Sequence, residues 1–297
     1  MEHPTSSFAG TNVWSSVRCL FESPTLDDRK WSKLPSIPAD AFILDLEDAV
    51  PAEGKEEARR RVVAAIQEPS HFGGRLTVAR PNPLHTRWGE EDVRAMARAG
   101  VRTMMIAKVD GPGDIDDVQL LCREEGADPT FLASIETARG VVNAPAILSH
   151  SGVVAASFGP GDLHVDVGMT LYEPDGRENP GLLQPKMATI LAGVAADVPV
   201  LGIAFAPDLK NLVDVRSRIE AERRLGFSGC CAFYPPHVDL INAVFTPSPE
   251  ELSTAEKVVA LFELAVAEGK PAVQLESGEA LLAHQYKQAL TTLARAR

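Results

Sequence analysis

Short aliphatic or β-branched runs recur along the chain, separated by stretches whose apolar residues return every three or four positions. This is the alternation of parallel βαβ units. The runs that predict strands are Val17–Glu22, Ala41–Leu46, Leu76–Arg80, Thr103–Lys108, Thr130–Glu136, Val153–Phe158, Val200–Phe205 and Ser228–Tyr234. Eight is the number a closed barrel requires. Amphipathic segments between them, among them Glu53–Gln67, Glu90–Ala99, Gly113–Glu125 and Leu209–Leu225, predict an outer ring of helices. An open doubly wound sheet gives a similar alternation but more often carries a glycine-rich dinucleotide turn after its first strand. Here that turn reads Glu22-Ser23-Pro24-Thr25. The pattern therefore predicts an α/β fold, a (β/α)8 TIM barrel over residues 17–246 after an N-terminal extension of residues 1–16. Residues 247–297 read as a C-terminal helical extension. Ser248 caps a helix with Pro249 at its first position that runs to about Gly269, and a last helix covers about Gly278–Ala296.

Composition narrows the partners. A net charge of -12 supplies no basic field for nucleic acid or anionic lipid, although a local cationic pocket for an anionic substrate stays compatible with it. Cys19, Cys122, Cys230 and Cys231 show no CxxC spacing, so they read neither as a disulfide framework nor as a zinc site. Met1 to Ser16 is polar, and nowhere do eighteen apolar residues follow one another. The expectation is a cytoplasmic protein without membrane spans.

In such a barrel the active site lies at the carboxyl ends of the strands, so polar residues that end apolar runs are the ones to collect. Strand two ends in Asp45-Leu46-Glu47-Asp48, strand three in Arg80-Pro81-Asn82, strand four in Lys108, and strand five in Glu136-Thr137. Strand six runs into Gly159-Pro160-Gly161-Asp162. Glu47, Arg80, Lys108, Glu136 and Asp162 recur at steps of roughly thirty residues, about one βα unit, which places all five on one rim. Glu136 and Asp162, on neighbouring strands, would repel each other unless a cation lay between them. Mg²⁺ fits, because it takes one or two carboxylates and fills its other positions with water and substrate oxygens. Gly159 and Gly161 let the backbone near Asp162 approach that ligand closely, with Pro160 and Gly161 as substrate contacts. Arg80 is an anion fork for a carboxylate or developing enolate; the alternative is an ion pair with Glu47 that only holds the rim together. Glu47, Asp45, Asp48 and Lys108 then orient metal waters and Arg80. No histidine pair has metal-ligand spacing, and no GxSxG elbow marks a serine nucleophile near Ser134 or Ser157.

Phe42-Ile43-Leu44-Asp45-Leu46-Glu47-Asp48-Ala49-Val50 resembles a signature of the citrate lyase β-subunit-like branch of the HpcH/HpaI aldolase family, which also includes malyl-CoA and citramalyl-CoA lyases. Val78-Ala79-Arg80-Pro81-Asn82-Pro83-Leu84, Ile135-Glu136-Thr137-Ala138-Arg139-Gly140-Val141 and Phe158-Gly159-Pro160-Gly161-Asp162-Leu163 are similar to further segments of that family. The resemblance implies that Glu136 and Asp162 carry Mg²⁺, that Arg80 binds the substrate and stabilises an enolate, and that the chain assembles as a homotrimer or hexamer. The chain also departs from the family. Where relatives have Gly-Lys and then Ile-His-Pro, it reads Gly229-Cys230-Cys231-Ala232-Phe233-Tyr234-Pro235. Leu282 aligns with a closing-segment aspartate thought to act as a base on a neighbouring subunit, and Leu201-Gly202 replaces another on strand seven.

The leading functional expectation is a Mg²⁺-dependent retro-Claisen or retro-aldol lyase acting on a small oxo- or hydroxy-acid, free or as its CoA or carrier-protein thioester. Glu47, or a water it orients, is the candidate base. The rivals are a malyl- or citramalyl-type thioester hydrolase and a non-catalytic binding subunit.

Overall fold

The structure, a computed structural model, describes residues 12–23, 25–267, 273–274 and 280–296. Eight parallel strands close into a barrel: β1 (Cys19–Ser23), β2 (Ala41–Asp45), β3 (Leu76–Arg80), β4 (Thr103–Ile106), β5 (Thr130–Ile135), β6 (Val153–Phe158), β7 (Val200–Ile203) and β8 (Gly229–Ala232). Each pairs with the next, and β8 returns to β1 with Leu20 opposite Cys231. A short helix α1 (Asp28–Trp31) follows β1. The ring is then built from α2 (Lys55–Gln67), α3 (Gly89–Arg98), α4 (Pro112–Glu124), α5 (Ala138–Leu148), α6 (Pro160–Val167), α7 (Leu183–Ala195), α8 (Leu212–Leu225) and α9 (Pro236–Phe245).

Side chains alternate across a strand, so one residue of each strand meets the barrel axis at a given level. That level is apolar: Leu20, Ile43, Val78, Met105, Leu132, Ala155 and Leu201 are buried together, with Cys231 packed against them and Trp14 joining from the 3₁₀ turn Val13–Ser16. Two residues further along the same strands come Glu22, Asp45, Arg80, Ser134 and Ser157. The same pleat that fills the core thus delivers charge to the mouth.

Five predicted strands overrun the observed ones at the carboxyl end: β2 stops at Asp45 rather than Leu46, β4 at Ile106 rather than Lys108, β5 at Ile135 rather than Glu136, β7 at Ile203 rather than Phe205, and β8 at Ala232 rather than Tyr234. The lost residues are loop positions, and among them Lys108 and Glu136 join the acids of the mouth. Lys108 leaves β4 through a left-handed backbone (φ 53°).

The chain divides into two compact units after Asn242. The second contains α10 (Pro249–Ala267), a two-stranded ladder of β9 (Val273–Gln274) and β10 (Ala280–Leu281), and α11 (Ala283–Ala294). Ser248 caps α10 as the sequence suggests: Glu251 N–H donates to its Oγ at 3.1 Å, and Ser248 N–H to the Glu251 carboxylate at 2.7 Å. The helix predicted from Gly278 starts instead at Ala283, because Ala280 and Leu281 are spent on the ladder; Gly278 itself lies outside the described residues. Phe262 and Tyr286 stack at 4.6 Å between α10 and α11. Among the described residues no helix is long and apolar enough to cross a membrane.

Candidate active site

At the end of β3 the Arg80 guanidinium, only 8 % exposed, is clasped by acids. Its Nε donates to Asp45 at 2.5 Å and lies 3.5 Å from Glu47, and its Nη2 donates to Glu22 at 3.1 Å. Nη1 has no hydrogen-bond partner among the described residues, so its N–H groups remain for a ligand. Asp45 is fully buried and also accepts the backbone N–H groups of Glu47 (2.9 Å) and Ala49 (3.0 Å), which fixes the turn after β2. The rim-anchoring ion pair expected of Arg80 is present, closer to Asp45 than to Glu47, and the guanidinium keeps N–H groups free.

Lys108 joins the remaining carboxylates. Its ammonium lies 2.5 Å from Glu47, 3.1 Å from Asp48 and 3.7 Å from Asp162, while its backbone N–H donates to Glu136 Oε1 at 2.8 Å. The left-handed turn that allows both contacts costs about 1 kcal/mol in a lysine. All five rim residues expected from the sequence, Glu47, Arg80, Lys108, Glu136 and Asp162, are thus brought together, with Asp45 and Asp48 beside them.

Glu136 is buried (6 % exposed), and its carboxyl is pushed up to about 7, first by burial and then by the charges of Glu47 and Asp162, against the Lys108 N–H bond. Its side chain fills the space over Gly159, where an added Cβ would stand 2.5 Å from Glu136 Oε2 and 2.7 Å from its Cβ. Gly159 therefore makes room for Glu136. At Gly161 a Cβ would only touch the Phe205 ring at 3.5 Å. Asp162 sits half-exposed in the first turn of α6, where the helix dipole favours a carboxylate. Among the described residues no three His, Cys, Asp or Glu side chains form a ready-made metal cage. Two oxygen donors are nevertheless what Mg²⁺ takes from protein when water and substrate complete its shell. The repulsion felt by Glu136 marks an excess of negative charge that a cation would relieve, so the residues fit the ion.

Thr137 and Gly140, part of the same motif as Glu136, are structural. Thr137 Oγ1 caps α5 by accepting from Gly140 N–H at 2.9 Å, and a Cβ at Gly140 would strike the Val109 carbonyl at 2.4 Å. Ser134 and Ser157 are buried and bonded to each other at 3.1 Å, and the His164 ring faces the Pro160 carbonyl at 3.2 Å. Phe205 and Phe233 pair at 5.7 Å at the ends of β7 and β8. The cysteines are free, and burial pushes the Cys231 thiol up to about 12, far from a reactive thiolate.

Sequence reasoning missed Glu22, although it lies two residues beyond the core residue Leu20 and the pleat alone points to it. It also missed Lys55, buried at the start of α2, which donates to the carbonyls of Leu46 (2.7 Å) and Glu47 (2.6 Å) and to Asn82 Oδ1 (2.7 Å). Asn82 in turn donates to buried Asp92 at 2.6 Å, and Asp92 accepts from Arg59 at 2.5 Å. This chain ties the loops after β2 and β3 together behind Arg80. A lysine at a helix start carries no sequence signal for such a role.

Fold and rim together define a class: a parallel barrel whose carboxyl face gathers acids around one guanidinium and one ammonium. Residues 22–235 match the HpcH/HpaI aldolase/citrate lyase family, and the chain belongs to it. It is 31% identical over 253 residues to a (3S)-malyl-CoA thioesterase of Cereibacter sphaeroides, covering 85% of each chain. It is 29% identical over 246 residues to the citrate lyase subunit beta of Escherichia coli K12, covering 80% of each. Among solved structures, protein CitE from Mycobacterium tuberculosis in complex with magnesium, acetoacetate and coenzyme A superposes with a TM-score of 0.77 at 24% identity. That match covers 94% of this chain and 97% of the other.

Proposed function

We propose that this chain is a Mg²⁺-dependent carbon–carbon lyase that cleaves a small hydroxy-acid, free or as its acyl thioester, in the retro-Claisen or retro-aldol direction. The observation that carries this reading is the meeting of Glu136, Asp162 and Lys108 within reach of a guanidinium that keeps a free donor. Glu136 and Asp162 would hold Mg²⁺, which when bound lowers the pKa of a chelated hydroxyl and polarises the oxo product. Arg80, fixed by Asp45 and Glu22, offers Nη1 to the substrate carboxylate or to the enolate oxygen as charge develops, an effect worth about 3 kcal/mol in a site of low dielectric. Glu47 is the proton acceptor of this reading. Burial raises its pKa above the ordinary carboxylate value, which makes it a better base, while Arg80 and Lys108 act in the opposite direction. Pro160 and Gly161 supply the wall beside Asp162.

A second reading, thioester hydrolysis of a malyl-type substrate, is favoured by the likeness to malyl-CoA thioesterases. The two differ in product. With Mg²⁺ and a panel of malyl, citramalyl and related thioesters and free hydroxy-acids, release of an oxo-acid with the acyl fragment supports the lyase. Release of intact hydroxy-acid with free thiol supports hydrolysis, and turnover of nothing in the panel supports a binding subunit. Glu136→Ala and Asp162→Ala should each abolish metal-dependent turnover with the fold retained; activity surviving in both sinks the assigned site.

A further inference from the structure

Lys108 connects both proposed metal ligands through separate groups. Its backbone N–H holds Glu136 at 2.8 Å, and its ammonium lies 3.7 Å from Asp162 while contacting Glu47 and Asp48 at 2.5 and 3.1 Å. An ion pair serving only rim stability would need the ammonium alone. It would not need a left-handed lysine (φ 53°) that turns its peptide toward one ligand and its side chain toward the other. The ammonium therefore stands where Glu47, Asp48 and Asp162 would otherwise repel one another. Contact between a carboxylate and a divalent ion is weakened by an ammonium already resting on the same oxygens. The lysine side chain is 28% exposed, so it has water to move through, and the closer Glu47 and Asp48 carboxylates keep a place for it.

We propose that Lys108 is a positioning residue that acts as the resident counter-cation of the mouth: it organises Glu47, Asp48 and Asp162 in the metal-free protein and gives up Asp162 when the ion enters. The proposal rests on Glu136 and Asp162 being the metal ligands. Lys108 thereby competes with the metal and prepares its site at once, and the two roles move different observables when the charge is removed.

The test is Mn²⁺ binding by the full-length protein, read by calorimetry and by the electron-spin resonance of free Mn²⁺, together with the melting temperature without metal. Lys108→Met should bind Mn²⁺ about tenfold more tightly, equivalent to about 1.4 kcal/mol, and melt lower than the wild type when metal-free. Lys108→Arg should keep the wild-type affinity. A scaffold role alone gives weaker binding together with the lower melting temperature, so unchanged or weaker binding in Lys108→Met overturns the proposal. If the wild type binds no Mn²⁺, the metal reading itself falls and takes the proposal with it. Should Lys108→Met fail to fold, acetic anhydride labelling of the wild type decides, mapped by mass spectrometry. Mn²⁺ should increase modification of Lys108 relative to exposed Lys30, and equal or reduced labelling overturns the proposal.

Discussion

At the scale of single residues, the glycines of the Gly159-Pro160-Gly161-Asp162 turn look interchangeable in the sequence, yet they do different things. Gly159 is the wall against which Glu136 is pressed, whereas Gly161 merely touches Phe205. Gly159→Ala should therefore displace Glu136 and weaken Mg²⁺ binding roughly tenfold to a hundredfold, the range seen when groups that orient ligands are disturbed. Gly161→Ala should be close to neutral. Calorimetric titration of both variants checks this, and equal losses would show that the turn, not the Glu136 contact, matters. The raised pKa of Glu136 has its own consequence. Its carboxyl is held near 7 against an ordinary 4.5, so its contribution to the stability of the metal-free protein is full below pH 4.5 and gone above about 7. Metal needs the ionised form, so Mg²⁺ affinity should climb as pH rises to about 7 and then level off. An affinity flat between pH 5.5 and 8 would remove Glu136 from the site.

At the scale of elements, α7 and α8 carry an ion cluster that the mouth does not use. Lys186 on α7, 1 % exposed, donates to Glu222 on α8 at 2.5 Å and to Glu178 at 2.7 Å. Burial holds the Glu222 carboxyl at about 7 despite that lysine. A Cβ at Gly202 would lie 2.8 Å from Glu222 Oε2, so strand β7 leaves the space that this acid occupies. Lys186→Met should strand a buried carboxylate and cost about 3 to 5 kcal/mol in urea unfolding, and adding Glu222→Leu should restore much of it. A loss under about 1 kcal/mol would mean that water reaches Glu222. How legible such features were follows from the pattern each obeys. Strands and rim acids obey a period of two and a spacing of one βα unit, so Leu76–Arg80 and Val153–Phe158 came out to the residue and all five rim groups were found. Strand ends such as Lys108 and Phe205 were overrun, because local propensity continues where a loop turns a side chain into the mouth. Lys186 and Lys55 are long-range pairings, whereas Glu22 obeys the period of two in β1 and was overlooked. The only hint of Lys186 was a lone charge inside the apolar run from Leu182 to Ala195.

At the scale of the whole molecule, the closed barrel was legible because eight strand runs alternate with helical stretches and the first is followed by Glu22-Ser23-Pro24-Thr25 rather than a glycine-rich dinucleotide turn, whereas the number of copies is not written in any period. The outer ring nevertheless exposes large aliphatic side chains on packed neighbours: Val142 (78 %) on α5, Val165 (70 %) on α6, and Leu191 (62 %) and Val194 (71 %) on α7. Single exposed aliphatics are ordinary, but four on helices that pack together are candidates for a surface that association buries. The homotrimer or hexamer that the resemblance implies predicts that this surface lies in an interface. Light scattering after size exclusion should give a mass three or six times 31.9 kDa. The double change Leu191→Glu and Val194→Glu should release smaller species, because a buried unpaired carboxylate is too costly for an interface to hold. A wild type that runs as a monomer would refute the oligomer outright. An oligomer indifferent to the double change would place its interface on another face of the ring.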